Sequence, residues 1–70
     1  MSAVTRSAAE ARAALARADI TQTRLAALTG RSQNYWSRRL NGSVPLDLAD
    51  LDLVAKATGT PITDLVVGAA

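Results

Sequence analysis

The chain has 70 residues, 49% of them apolar, with one Trp, one Tyr, no Phe, no Cys, no His and a formal charge of +2. A chain of this size forms one domain over 1–70 with a thin core, burying only about 60% of its unfolded surface. Without His or Cys the usual general base, thiol nucleophile and soft metal ligands are missing, which argues against an enzyme and against a metal or other cofactor.

The predicted elements are all helical. Val4, Ala8, Ala11, Leu15 and Ala18 recur at spacings of 4, 3, 4 and 3, the apolar stripe of a first helix. Arg6 and Glu10 form an i, i+4 pair on its surface. An Arg- and Ala-rich start also resembles a transit peptide, but no cleavage site or apolar segment accompanies it. A second helix follows Thr21, whose hydroxyl can accept a bond from an orphaned backbone N–H. It stops at Gly30, since glycine enters the left-handed region without a Cβ clash. Ser32 caps a third helix over 33–41, and Asn41-Gly42 ends it. Ser43-Val44-Pro45 is a connecting loop. Asp47 as cap, Asp50 three residues on, and Leu46 with Leu51 around them predict a capping arrangement with a hydrophobic staple. Leu48, Leu51, Val54, Ala55 and Thr58 then line the inward side of a fourth helix that ends at Gly59. Thr60-Pro61, a cap followed by Pro at the first helical position, starts a short fifth helix. No strand pattern, repeat or low-complexity linker appears, and no apolar run approaches the roughly 20 residues of a membrane helix. The fold class is all-α, a compact five-helix bundle.

The stretch 21–42 carries the functional signal. Two helices joined by so short a turn cross steeply, a helix-turn-helix geometry that can set the second helix in the DNA major groove. At about 100° per residue, Gln33, Asn34, Ser37, Arg38 and Asn41 cover an arc of about 140° on that helix, with Trp36 and Leu40 turned away from it. Gln and Asn can pair bidentately with adenine N6/N7, and Arg with guanine O6/N7. Gln33, Asn34, Ser37 and Arg38 are therefore the candidate base readers. The competing explanation is that any solvent-facing helix surface is polar, and charge weighs against it. Residues 1–46 hold seven arginines against Glu10 and Asp19, a balance of +5, whereas 47–70 hold four aspartates against Lys56, a balance of −3. Between 20 and 46 there is no acid, while Arg24, Arg31, Arg38 and Arg39 are all present. Such a basic zone suits a polyanion, and Arg suits bidentate phosphate contacts.

Residues 15–65 resemble the phage-repressor type of helix-turn-helix domain, a five-helix fold that includes lambda-type repressors, Cro proteins and the xenobiotic-response regulators. The resemblance rests on Thr21-Gln22, Leu25-Ala26, Gly30, Ser32-Gln33-Asn34, Trp36, Asn41-Gly42, and the run from Leu46-Asp47-Leu48 through Ala55-Lys56-Ala57-Thr58-Gly59. It implies that Gln22 contacts a phosphate and braces Gln33, that Gln33 and Asn34 read bases, and that Asn41 holds backbone phosphate. It also gives the small Ala26 a packing role between the two helices. Arg24, Arg31 and Arg39 add candidate phosphate contacts, and Tyr35 touches a phosphate from the rim. Three positions depart from the family pattern: Thr29, Arg31 and Arg39 stand where apolar residues are usual. Arg39 falls at the edge of the buried side, so its stem is expected along the core with the guanidinium reaching solvent or phosphate.

The resemblance implies a sequence-specific regulator of transcription, a repressor or Cro-like protein acting on a double-stranded operator. It places the protein in the cytoplasm with the nucleoid of a bacterial or phage-infected cell. Ile62, Leu65, Val66 and Val67 leave a surplus of apolar surface, which either finishes the core or makes a two-fold dimer contact. A dimer would set two reading helices about 34 Å apart, on half-sites one helical turn apart. Two other readings stand beside this one: an antitoxin that clamps a toxin through 62–67, and a helical interaction module that binds no DNA. Asp47, Asp50 and Asp52 as oxygen ligands for a metal weigh less than the same acids as helix-start residues. Trp36 and Tyr35 as a stacking platform for single strands weigh less than Trp36 as core.

Overall fold

The computed structural model describes the backbone of residues 3–66 and the side chains of 7–66. In chain order it contains α1 (Ala3–Arg17), α2 (Gln22–Thr29), α3 (Gln33–Leu40), α4 (Leu48–Thr58) and α5 (Ile62–Leu65), with no strand among the described residues. The fold is all-α, as its sequence pattern predicts.

The starts of α2, α3 and α4 are chemically marked. The Thr21 hydroxyl accepts from Arg24 N–H at 3.1 Å, and the Ser32 hydroxyl accepts from Tyr35 N–H at 3.0 Å. At α4 the capping box is complete: Asp47 accepts from Asp50 N–H at 2.8 Å while Asp50 accepts from Asp47 N–H at 3.1 Å. Leu46, just before the cap, packs against the core cluster to which Leu51 belongs, as the two positions of a hydrophobic staple would. Helix ends are equally local. Gly30 lies at φ 69° and turns the chain from α2 into α3 within three residues. Asp19 at φ 57° does this for α1, where Ile20 N–H reaches back to Leu15 C=O at 2.9 Å and the Ile20 side chain packs on the core. Nothing in the helix periodicity points to Asp19 in this role, although Asp is among the few side chains that tolerate the left-handed region.

α1 packs on α3, α4 and α5, and α2 on α3 and α4. The small Ala8, Ala11 and Ala14 are fully buried, so α1 contributes a narrow face that other helices can approach closely, with Leu15 as its one large core side chain. Leu25 and Ala26 from α2, Trp36 and Leu40 from α3, Leu51, Val54 and Ala55 from α4 and Leu65 from α5 complete the interior.

Three expectations need correction. Leu48 is 67% exposed rather than inward, because the first turn of α4 presents Asp50, 1% exposed, to its neighbours instead. Thr60 does not cap α5. Its hydroxyl bonds the Thr58 hydroxyl at 2.9 Å, and Pro61 occupies the cap position without a side-chain bond. The third helix closes at Leu40, with Asn41 as its cap residue. At the C-terminal end Leu65 is fully buried and Ile62 and Val66 pack against the core, so these residues finish the interior. Val67 lies outside the described residues, as do the side chains of Val4 and Arg6. No helix among the described residues is long and apolar enough to cross a membrane.

Candidate nucleic-acid interface

The orientation of α3 is set by what it buries. Trp36 is 0% exposed and Leu40 1%, so one side of the helix is sunk into the bundle. Gln33, Asn34, Arg38 and Asn41 are exposed and Ser37 is half-buried, which places the polar arc on the opposite side. The geometry thus brings the four candidate base readers together on one outward surface. The first two stand at the N-terminal end of the helix, next to the Ser32 cap.

The indole explains the first departure from the family pattern. Trp36 Nε1–H donates to the Thr29 hydroxyl at 2.9 Å, and that hydroxyl donates to Leu25 C=O at 2.8 Å. An apolar residue at 29 would strand a buried donor. The second departure, Arg31, is exposed in the turn with its guanidinium carbon 5.6 Å from the Tyr35 ring centre. The third, Arg39, is the largest surprise. Its Nε donates to Asp50 at 3.1 Å, an Nη donates to Tyr35 C=O at 3.3 Å, and its guanidinium carbon sits 3.6 Å from the Tyr35 ring centre. The guanidinium is engaged with Asp50 and Tyr35 within the protein. Tyr35 turns the same way, donating its hydroxyl to Asp50. That hydrogen bond, reinforced by burial, holds the Tyr35 phenol above its ordinary pKa.

Asp50 is a residue whose long-range contacts local pattern leaves unmarked. As the third residue of a capping box it needs no further role, yet it gathers Tyr35 and Arg39 from another helix. The signal available was Arg39 itself: a cation at a position facing the core requires a counter-charge. Arg12 is a second omission. From α1 it donates to Leu40 C=O, satisfying a carbonyl at the C-terminal end of α3.

Among the remaining candidates, Arg24 is exposed near the start of α2, and Gln22 is half-buried at its first position. The Asn41 side-chain oxygen accepts from Ser43 N–H at 2.8 Å, which fixes the amide at the helix end. No acid lies between Ile20 and Leu46, so the exposed Arg24, Arg31 and Arg38 have no neutralising neighbours within that segment. The acids Asp47, Asp50 and Asp52 are otherwise occupied: the first two in the capping box, the third with Lys56 at 2.9 Å. No group of His, Cys, Asp or Glu that could hold a metal ion occurs among the described residues.

A family model described as a helix-turn-helix domain matches residues 6–66. The chain belongs to the helix-turn-helix domain family. Curated proteins and solved structures gave no match. Within the helix-turn-helix, α2 is the supporting helix, Gly30 to Ser32 the turn, and α3 the helix whose outward surface is free to meet a ligand.

Proposed function

We propose that this protein is a sequence-specific double-stranded DNA-binding regulator of transcription, a phage-type repressor or Cro-like protein. The observation that carries the reading is the division of α3 into two sides: a buried Trp36 and Leu40, and an outward arc of Gln33, Asn34, Ser37 and Arg38. Amide and guanidinium groups of that arc can form paired hydrogen bonds with base edges in the major groove. Arg24, Arg31, Gln22 and Asn41 stand around it as phosphate contacts, which dock the domain and set its register without reading sequence. Occupation of a promoter then excludes polymerase, which is repression. DNA binding rather than catalysis is the activity, and its place is the cytoplasm with the nucleoid.

The antitoxin reading uses the same DNA surface and differs at the other end of the chain. A toxin clamp or a two-fold dimer contact through Ile62, Leu65, Val66 and Val67 has less to work with, since the core uses Leu65 completely and Ile62 and Val66 in part. The deciding experiment is selection of bound duplexes from a random library at two salt concentrations. The reading expects an enriched site whose affinity falls steeply with salt, and a palindrome if two copies bind. Absence of any retained duplex at low salt refutes it.

A further inference from the structure

Asp50 is the single charged side chain buried among the described residues, and its carboxylate joins two helices. One oxygen accepts from Asp47 N–H and from Arg39 Nε, each at 3.1 Å, and the other accepts from the Tyr35 hydroxyl. The bond from Asp47 is internal to the start of α4. Those from Tyr35 and Arg39 come from α3, one turn apart. These two residues share one side of that helix, and Trp36 and Leu40, each one position further on, share a side rotated from it by about 100°. Hydrophobic burial by itself is not directional, and Trp36 adds one directional bond on its side, from Nε1–H to the Thr29 hydroxyl at 2.9 Å. The Asp50 anchor places two further directional bonds on a different side of the helix, so the two anchors together fix its rotation.

Rotation matters for reading bases. On a helix about 10–12 Å across, a turn of about 20° carries a side-chain tip by about 2 Å. Paired hydrogen bonds need placement within about 0.5 Å. The ion pair also commits a cation: the Arg39 side chain is 21% exposed, bonded to Asp50 and stacked on Tyr35. We propose that Asp50 is a positioning residue for base reading, holding the rotation of α3 through Tyr35 and Arg39 while it withholds the Arg39 guanidinium from the DNA phosphates. This rests on the DNA-reading function proposed above. It assigns a specificity role to a residue that touches no DNA, and it removes Arg39 and the Tyr35 hydroxyl from the phosphate contacts that the sequence pattern suggests.

The test compares wild type with Asp50→Asn, Tyr35→Phe and the double variant Asp50→Asn with Arg39→Met, all with folded fraction checked by circular dichroism. Each is titrated with the duplex selected by the wild type and with an unrelated duplex, across a salt series. Asp50→Asn lowers the preference for the selected duplex about tenfold or more. It also steepens the slope of log K against log salt by about 0.9, as Arg39 gains a phosphate. The double variant loses preference equally but keeps the wild-type slope. Tyr35→Phe, which removes only the hydroxyl, lowers preference by a smaller factor with no change in slope. Should Asp50→Asn prevent folding with or without Arg39→Met, Tyr35→Phe decides the positioning role and the single variant Arg39→Met, expected to keep the wild-type slope, replaces the double variant. Wild-type preference in folded Tyr35→Phe and in the double variant overturns the positioning role. A slope flattened by about 0.9 in the double variant shows that Arg39 was a phosphate contact and overturns the withholding. If wild type itself prefers no duplex, the DNA-reading function falls and this inference falls with it.

Discussion

Thr29→Val isolates one hydrogen bond at the junction of α2 and α3. Valine keeps the branched shape and nearly the volume of threonine, so neither a cavity nor a large change in helix propensity accompanies the substitution. What is lost is the acceptor 2.9 Å from Trp36 Nε1, on an indole with 0% exposure. A buried donor left unpaired costs about 1–3 kcal/mol. For a domain of this length each kcal/mol corresponds to roughly 4–8 °C in Tm, so a fall of about 5–20 °C is expected. Thr58→Val is the matched control. Its hydroxyl makes the same bond to the carbonyl four residues back, Val54 C=O at 2.8 Å, and also meets the Thr60 hydroxyl and N–H. These partners are half-exposed and Thr60 N–H keeps a bond to Ala55 C=O, so the cost should stay below that of Thr29→Val, at about 1 kcal/mol. Thermal and urea unfolding, followed by circular dichroism and by Trp36 emission, measure both variants. Equal losses in the two, or a Thr29→Val protein that melts with wild type, would refute the reasoning.

Three further outcomes are expected. Gln33→Ala or Asn34→Ala costs about 1–3 kcal/mol on the selected duplex and relaxes base preference, whereas Arg24→Ala weakens binding to all duplexes and flattens the salt slope by about 0.9; quantitative gel shifts separate the two patterns. Trp36→Ala removes the largest fully buried side chain and costs roughly 3–5 kcal/mol, comparable with the whole stability of so small a domain, so loss of the cooperative melt is the expected result. The raised pKa of Tyr35 means that the folded state holds the phenolic proton more tightly than the unfolded chain. The resulting stabilisation is full below the ordinary value of 10.0 and is lost as pH rises through the raised one. The chain has a single Tyr, so ultraviolet absorbance reads this titration directly, and its midpoint should fall to the ordinary value in urea.

The start and end of each of the middle helices were legible in the sequence because they depend on neighbours within four residues. Thr21, Ser32 and the Asp47–Asp50 box all bond three residues away, and Gly30 and Gly59 need only their own backbone freedom. The polar arc of α3 was legible for a similar reason, since helix geometry alone sets which residues share a side. What escaped were contacts whose partners lie far apart in the chain. Asp50 meets Arg39 and Tyr35 across 11 and 15 residues, and Arg12 meets Leu40 across 28. No periodicity encodes those distances. Leu48 failed differently: it lies on the apolar stripe by angle, but at the end of a helix a stripe position has neighbours only if another element extends that far. Thr29 and Arg39 stood out as departures from the family pattern, and each marks a polar interaction that replaces apolar packing.

The solitary indole has a practical consequence. Trp36 points into the bundle from the same helix that carries the outward polar arc, so a duplex lying on that arc cannot touch it. Its fluorescence is therefore blind to contact and sensitive to repacking. An emission spectrum that stays fixed while DNA is added describes a reader already shaped for its target, and one that moves describes a bundle that shifts to fit.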